Sequence, residues 1–337
     1  MTMKKTILII TDNLKDQING VVTTFKSIEK YASADGYNIV YLDPGQFSYI
    51  DAPGYPEVKL SWPKQIGAKI RALSPDYVHI ATEGPLGLAA RFWLDSKGWC
   101  YNTSYHTKFP EFINKIYKIP VSWTYWYVRW FHKHSGRVLA TTQTMVDELH
   151  SHGFKTNIVP WTRGVDRETL KPNRKHQPRT SSRPPVVLYA GRVSKEKNLD
   201  DLCRLENQYT IHIVGDGPDR ARLEKTYRGV KFLGYKKGTD LANCYALADV
   251  FCFSSKTDTF GIVIIEALSV GLPVAAYEVP GPIDILEQGV TGYMGTNLDS
   301  NIDRCLKLDR ATVRRASQKW TWEECWRIFK ENLVEII

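Results

Sequence analysis

The sequence predicts an α/β protein made of two doubly wound parallel sheets, and three observations predict it. Its 337 residues exceed the roughly 100 to 200 of one domain. Short β-branched runs alternate with helical stretches along the chain, as in sheets wrapped by helices. Near the middle, KPNRKHQPRTSSR (171–183) interrupts the alternation with five basic residues, no acid, and an abundance of Pro and Ser. Such a stretch reads as a solvated linker. The expected division is a first domain over 1–165, a linker over 166–184, a second domain over 185–312, and a closing helical segment over 313–337.

The first half offers strands at TILIIT (6–11), NIVYL (38–42), YVHI (77–80), YNTSY (101–105) and RVLATT (137–142). The second offers VVLYA (186–190), TIHIV (210–214), VKFLG (230–234), DVFCF (249–253) and LPVAAY (272–277). Ligands of such sheets bind beyond the carboxyl ends of strands, so the expectation is two domains facing across a cleft lined by strand-end loops.

Composition narrows the class. Hydrophobic content of 43% and charged content of 24% are those of a globular protein. The net charge of +9 is spread over both halves, with 18 basic against 13 acidic residues in 1–160 and 27 against 23 beyond. The basic linker leaves contact with an anionic acceptor or membrane surface open. No apolar run reaches the 18 or more residues of a membrane span, and MTMKKTILIITD reads as a strand rather than a signal peptide. Six scattered cysteines lack C-x-x-C spacing and read as reduced, mostly buried thiols. His132 and His134 read as surface residues rather than metal ligands. Asn102-Thr103-Ser104 fits the glycosylation sequon, a pattern common by chance. The expected location is the cytoplasm, with contact at the inner face of a membrane as an option.

The densest chemistry lies in SSKTDTFGIVIIEALSVGLPVAAYEVPGPID (254–284). The apolar run from Ile262 opens a buried helix, so Asp258 precedes its first turn and Glu266 lies one turn in. Both acids can face one ligand. Phe260-Gly261 at the helix mouth bares backbone N–H groups at the positive end of the helix dipole, an arrangement suited to phosphate. Carboxylates that hold hydroxyls beside a diphosphate site describe a nucleotide sugar. A buried helix with an N-terminal acid is the plainer alternative. In GRVSKEKNLDDL, Arg192 and Lys197 follow a strand end, where guanidinium and ammonium suit a diphosphate. Asn19-Gly20 opens the run VVTTFKSIEKYA, either as an anion-binding helix start or as a glycine turn capped by Asn19. Gly215-Asp216-Gly217 lacks the third glycine of a dinucleotide fingerprint and reads as a turn.

Taken together, GRVSKEKN, VGDGP, the FLGY strand end and TDTFGIVIIEALSVGLPVAA resemble, in order and spacing, the donor half of the retaining glycosyltransferases of family 4, which have the GT-B fold of two Rossmann-like domains. Upstream, NGVVTTF, VHIATEGPLGLAA, SYHTKFPEF and RWFHKHSGRVLATT are similar to the branch of bacterial α-mannosyltransferases and sulfoquinovosyl- or glucosyl-lipid synthases. The resemblance implies that the first domain faces the acceptor and the second binds a nucleotide-diphosphate sugar, GDP-mannose or a UDP-sugar. Arg192 and Lys197 would hold the donor diphosphate, helped by the Gly20 loop and the backbone of Phe260, Gly261 and Ile262. Glu266 would bind the ribose. Asp258 stands where the family usually has Glu and would hold sugar hydroxyls, one methylene shorter. His106 would lie near the anomeric centre, and Asp12 with Asn19 would touch the acceptor. The implied reaction proceeds with retention on one face of the sugar, and the departing diphosphate assists deprotonation of the acceptor. No cofactor is expected, nor an essential divalent metal, since Arg192 and Lys197 supply the charge.

The acceptor is left open between a lipid and a glycan. VSWTYWYVRWFHK (121–133) reads first as a core helix, because aromatics at helical spacing usually face inward, and next as a lipid-facing surface. WTWEECWRIFKENLVEII reads as a helix that crosses back to brace the first domain. The chain is short for the family, which suits a compact, phage-like genome and keeps modified DNA bases as an alternative acceptor, although no nucleic-acid pattern of interleaved aromatic and basic residues is present. A nucleotide-sugar epimerase and a non-catalytic nucleotide-binding protein are the more remote readings.

Overall fold

The computed structural model describes residues 4–17, 19–52, 55–171 and 183–336; apart from its two ends, the linker at 171–183 lies outside them. The chain forms two compact units, one of residues 1–163 with 322–337 and one of residues 164–321.

The first unit carries β1 (Lys5–Ile10), β2 (Tyr37–Leu42), β3 (Ser48–Ala52), β4 (Tyr55–Trp62), β5 (Tyr77–Ile80), β6 (Asn102–Tyr105), β7 (Val138–Ala140) and β8 (Ile158–Pro160). Its helices are α1 (Gly20–Ala34), α2 (Ile66–Leu73), α3 (Pro85–Lys97), α4 (Phe109–Tyr117), α5 (Val121–His132) and α6 (Gln143–Ser151). Six strands form a parallel sheet in the order β2-β1-β5-β6-β7-β8. Ile7 to Ile10 are fully buried, as expected of a strand covered on both faces. The antiparallel hairpin β3–β4 stands apart, pairing Ser48 with Trp62. The sequence reading missed it, together with β8, whose three residues are too few to show a period.

The second unit carries β9 (Val186–Ala190), β10 (Thr210–Val214), β11 (Lys231–Gly234), β12 (Val250–Phe253), β13 (Val274–Ala276) and β14 (Gly292–Met294). They form a second parallel sheet in the order β11-β10-β9-β12-β13-β14. Its helices are α7 (Leu199–Cys203), α8 (Arg220–Thr226), α9 (Gly238–Leu247), α10 (Ile262–Ser269), α11 (Pro282–Ile285), α12 (Leu298–Cys305) and α13 (Arg310–Ala316). The chain then returns to the first unit through α14 (Trp322–Glu331). The return comes later than the expected 313, because Val313 is buried in the second unit's core and Trp320 meets Phe260 edge-on at 5.7 Å.

The expected strands at 77–80, 186–190 and 210–214 match to the residue, and the others miss by one or two residues at an end. Thr142, expected in a strand, instead caps α6 by accepting from the Met145 N–H at 3.2 Å. The aromatic helix α5 divides its rings. Tyr125 and Phe131 are buried, but Trp123 and Trp126 are 71% and 60% exposed, so the core reading fails for these two. His132 is also corrected: it is fully buried, 2.7 Å from Thr103 Oγ1 and 3.3 Å from Glu83 Oε1. The sequon is shut away in β6, with Asn102 and Thr103 buried. Cys203, Cys252, Cys305 and Cys325 are buried free thiols.

Candidate functional site

In each sheet the strand order reverses between two neighbours, β1 and β5 in the first unit and β9 and β12 in the second. Loops leaving such a pair diverge and open a crevice at the strands' carboxyl ends. The sequence-predicted residues Arg192 and Lys197 leave β9, and Asp258 to Gly261 leave β12. The structure therefore places them at the second unit's switch point.

The loop after β9 is tightly held. The backbone of Gly191 to Val193 lies against the turn after β10, with Val193 N–H donating to Asp216 O at 2.9 Å and Asp219 N–H to Val193 O at 3.1 Å. Any Cβ at Gly215 or Gly217 would collide with the carbonyl oxygens of Gly191 and Val193. The GDGP turn thus has a purpose the sequence reading missed, since its glycines let the loop that carries Arg192 pack down. The Arg192 side chain is exposed, and its carbonyl accepts from the Tyr189 hydroxyl at 2.8 Å. Ser254, at the exit of β12, donates to Lys197 O at 2.7 Å, which ties the two switch-point loops together.

Lys197 Nζ and Asp258 Oδ1 lie 2.6 Å apart as a half-buried ion pair. The sequence reading gave these residues separate duties, diphosphate and sugar, and treated helix capping as the alternative for Asp258. Capping is not what Asp258 does: the N-cap of α10 is Gly261, with no side-chain bond to the first turn. Gly261 has φ of 92°, and a Cβ there would meet Ile264 Cδ1 and Phe253 Cζ at 3.0 Å. Glycine leaves the uncapped N–H groups of α10 approachable by an anion. Glu266 sits one turn into α10, where its Oε2 accepts from the Tyr245 hydroxyl at 2.9 Å. Burial pushes its carboxyl above the ordinary range, and the Tyr245 hydrogen bond offsets part of the rise.

In the first unit the predicted residues are each held by partners of their own. Asn19 caps α1, its Oδ1 accepting from Val21 and Val22 N–H at 3.0 Å each, so these donors are not offered to an anion near Gly20. Asp12 receives Leu86 N–H and the Thr82 hydroxyl at 2.7 Å each, and so serves the N-terminus of α3. Burial nevertheless pushes its carboxyl up to about 6. His106, just past β6, lies 2.7 Å from Ser104 Oγ through Nε2 and accepts from Arg163 Nη2 at 2.8 Å through Nδ1. Phe25 and Trp161 wall the ring, with centroids 6.1 and 5.7 Å away. Burial first, then the Arg163 charge and His79, hold its pKa well below the usual value. Arg163 was not singled out in the sequence. Its available signal was a lone cation in PWTRGVD, immediately after an apolar strand.

Two parallel-sheet Rossmann-like units with a charged switch point are the architecture of the GT-B glycosyltransferases. Residues 18–169 match the family model Glycosyltransferase Family 4, and residues 171–303 match Glycosyl transferases group 1. The chain belongs to glycosyltransferase family 4. It is 27% identical over 314 residues, 86% of this chain and 76% of the relative, to a GDP-mannose-dependent alpha-mannosyltransferase of Corynebacterium glutamicum. It is 29% identical to the sulfoquinovosyl transferase SQD2 of Arabidopsis thaliana over 82% of this chain and 59% of that one, and so spans about three-fifths of the plant protein. An alpha-monoglucosyldiacylglycerol synthase of Acholeplasma laidlawii is 26% identical over 76% of each chain. Among solved structures, the sucrose-phosphate synthase of Thermosynechococcus elongatus superposes with a TM-score of 0.77 at 17% identity, over 97% of this chain and 98% of that one.

Proposed function

We propose that the chain transfers a glycosyl group, with retention, from a nucleotide-diphosphate sugar to a hydroxyl of a lipid acceptor at a membrane surface. The observation that carries the reading is the Lys197–Asp258 pair beside the uncapped start of α10, with Glu266 one turn further on. The diphosphate takes Lys197, Arg192 and the N–H groups that follow Gly261. Glu266 takes the ribose, and Asp258, released from Lys197 by the incoming phosphate, takes sugar hydroxyls. Charge then builds on the departing diphosphate against two cations already in place, which is where electrostatic stabilisation lowers a barrier most. The diphosphate oxygen receives the acceptor's proton as the new bond forms on the same face. His106 is assigned to a hydroxyl of the sugar. A GDP-mannose donor is supported by the donor named for the Corynebacterium relative, and a UDP-sugar is the alternative donor.

The lipid acceptor rests on the outer face of α5. Trp123 and Trp126, three residues apart, share that face, and Tyr117 and Ile119, just before the helix, are exposed as well. Between Glu111 and Asp147 the chain has five basic residues and no acid. Exposed tryptophans among cations suit the headgroup layer of an anionic bilayer. Among the described residues no helix is long and apolar enough to cross a membrane, so contact of this kind is peripheral.

The test is incubation with UDP-, GDP- and ADP-sugars, with and without vesicles of anionic phospholipid that contain diacylglycerol, reading nucleotide release and the anomeric configuration of the product. No release with any donor, or an inverted product, overturns the assignment. Equal turnover on water-soluble glycans without vesicles overturns the lipid acceptor alone.

A further inference from the structure

The hydrogen bonds around His106 decide which chemistry that ring can perform. A guanidinium carries donors only, so the nitrogen it faces must hold a lone pair. Arg163 Nη2 stands 2.8 Å from His106 Nδ1. Nδ1 is therefore unprotonated, and the single hydrogen of a neutral imidazole resides on Nε2. From there it is given to Ser104 Oγ at 2.7 Å. Ser104 Oγ lies in turn 3.0 Å from His79 Nε2, and burial with the nearby His132 holds His79 neutral, its pKa lowered to about 3.

Arg163 has little freedom to turn away. Only 3% exposed, it donates through Nη1 to Trp161 O at 2.6 Å and Thr162 O at 2.9 Å, and its guanidinium lies 4.5 Å from the centroid of the Trp161 ring. Burial lowers its pKa only to about 10, and it stays a cation at neutral pH. The titratable groups that face this cluster include Arg163, His79 and the buried Cys325 thiol, whose pKa burial pushes up to about 12. Protonating His106 would set an imidazolium N–H against a guanidinium N–H.

We propose that Arg163 is a positioning residue that fixes His106 as a neutral imidazole carrying its hydrogen on Nε2, so that His106 is an obligate hydrogen-bond donor to a ligand oxygen and never a base. This deepens the glycosyl-transfer reading, on which the identity of the ligand oxygen rests. A sugar hydroxyl or ring oxygen that displaces Ser104 Oγ would receive that hydrogen, strengthened by the positive charge behind the ring. An acceptor hydroxyl could not deliver its proton there.

The test is a long-range proton–nitrogen correlation spectrum of the full chain with nitrogen-labelled histidine, recorded from pH 5 to 8, with the His106 signals identified by their loss in His106→Gln. The expected result is an Nε2–H imidazole that does not titrate above pH 5. A His106 signal that shows Nδ1–H, or that titrates between pH 6 and 8, overturns the proposal whatever the enzyme does. Arg163→Met should raise the midpoint by at least a unit and mix the tautomers, whereas Arg163→Lys, a cation with donors only, should restore the wild-type pattern. The same pair separates positioning from folding by activity: Arg163→Met should acquire an acid limb in kcat against pH that Arg163→Lys lacks. A spectrum unchanged in a folded Arg163→Met overturns the proposal, as does a uniform loss of kcat without that limb. If the tautomer holds and no donor sugar is turned over, the glycosyl-transfer reading fails instead.

Discussion

The two units share a sheet order and a switch point, yet they use them in opposite ways. At the second unit's switch point the charges are paired but half exposed: Lys197 to Asp258, Arg192 open to solvent, Glu266 held by one tyrosine. In the first unit the corresponding side chains are each engaged by protein partners, with Asp12 serving α3, Asn19 serving α1, and His106 fixed between Ser104 and Arg163. A doubly wound sheet thus supplies a place for a ligand without dictating the chemistry there. Exposed ions can exchange partners when a charged ligand arrives, whereas buried neutral donors keep one geometry.

The sharpest way to break the contrast is to remove the exchangeable charge. Lys197→Ala should lower turnover about a hundredfold, the scale for loss of one charge-stabilising donor. Arg192→Ala should do the same. Near wild-type kcat at saturating donor in either variant would refute the leaving-group role. Next come the variants of its partner. Asp258→Asn should reduce transfer while leaving affinity for the free nucleoside diphosphate nearly intact, and Asp258→Glu should reorder donor sugars rather than abolish activity. A donor ranking unchanged in Asp258→Glu would remove that residue from the sugar contacts.

Smaller effects follow from the backbone and from titration. Gly261→Ala forces a Cβ into a left-handed residue and should cost about 1–2 kcal/mol of stability, visible as a lower Tm together with weaker donor binding by calorimetry. Unchanged values of both would show that the α10 mouth tolerates a side chain. The smallest expected effect concerns Asp12. Folding raises its pKa from 3.8 to about 6, so its contribution to stability is full below the unfolded value and is lost as pH rises through about 6. The Tm of Asp12→Asn relative to wild type should therefore climb between pH 4 and pH 7. A difference that stays flat with pH would contradict the shift.

Much of the fold was legible because parallel strands buried on both faces must be apolar and β-branched. VVLYA and TIHIV coincide with β9 and β10 residue for residue. The hairpin was not, since exposed strands such as SYIDA carry no buried run to betray them. Local site chemistry was readable as well, because Asn19 as a cap and Gly261 at a helix mouth are properties of neighbouring residues. The pairing of Lys197 with Asp258 spans 61 positions, and that of His106 with Arg163 spans 57. No local pattern encodes contacts of that range. The inward and outward rings of α5 were confused because its apolar residues run all the way round, and only the packing of Tyr125 and Phe131 picks the buried side.

The return of α14 has a consequence for the order of events on the ribosome. Phe329, fully buried, packs on Phe25, His79 and Trp161 with ring centroids 5.9, 5.1 and 5.1 Å apart, and Trp161 Nε1 donates to Cys325 O at 2.9 Å. Synthesis reaches these residues only after all of 164–321 has been made. The earlier unit, although translated first, is the later one to mature, and the wall behind His106 closes with the final helix. A nascent chain arrested before Trp322 should therefore present a protease-resistant second unit beside a first unit that is still being cut.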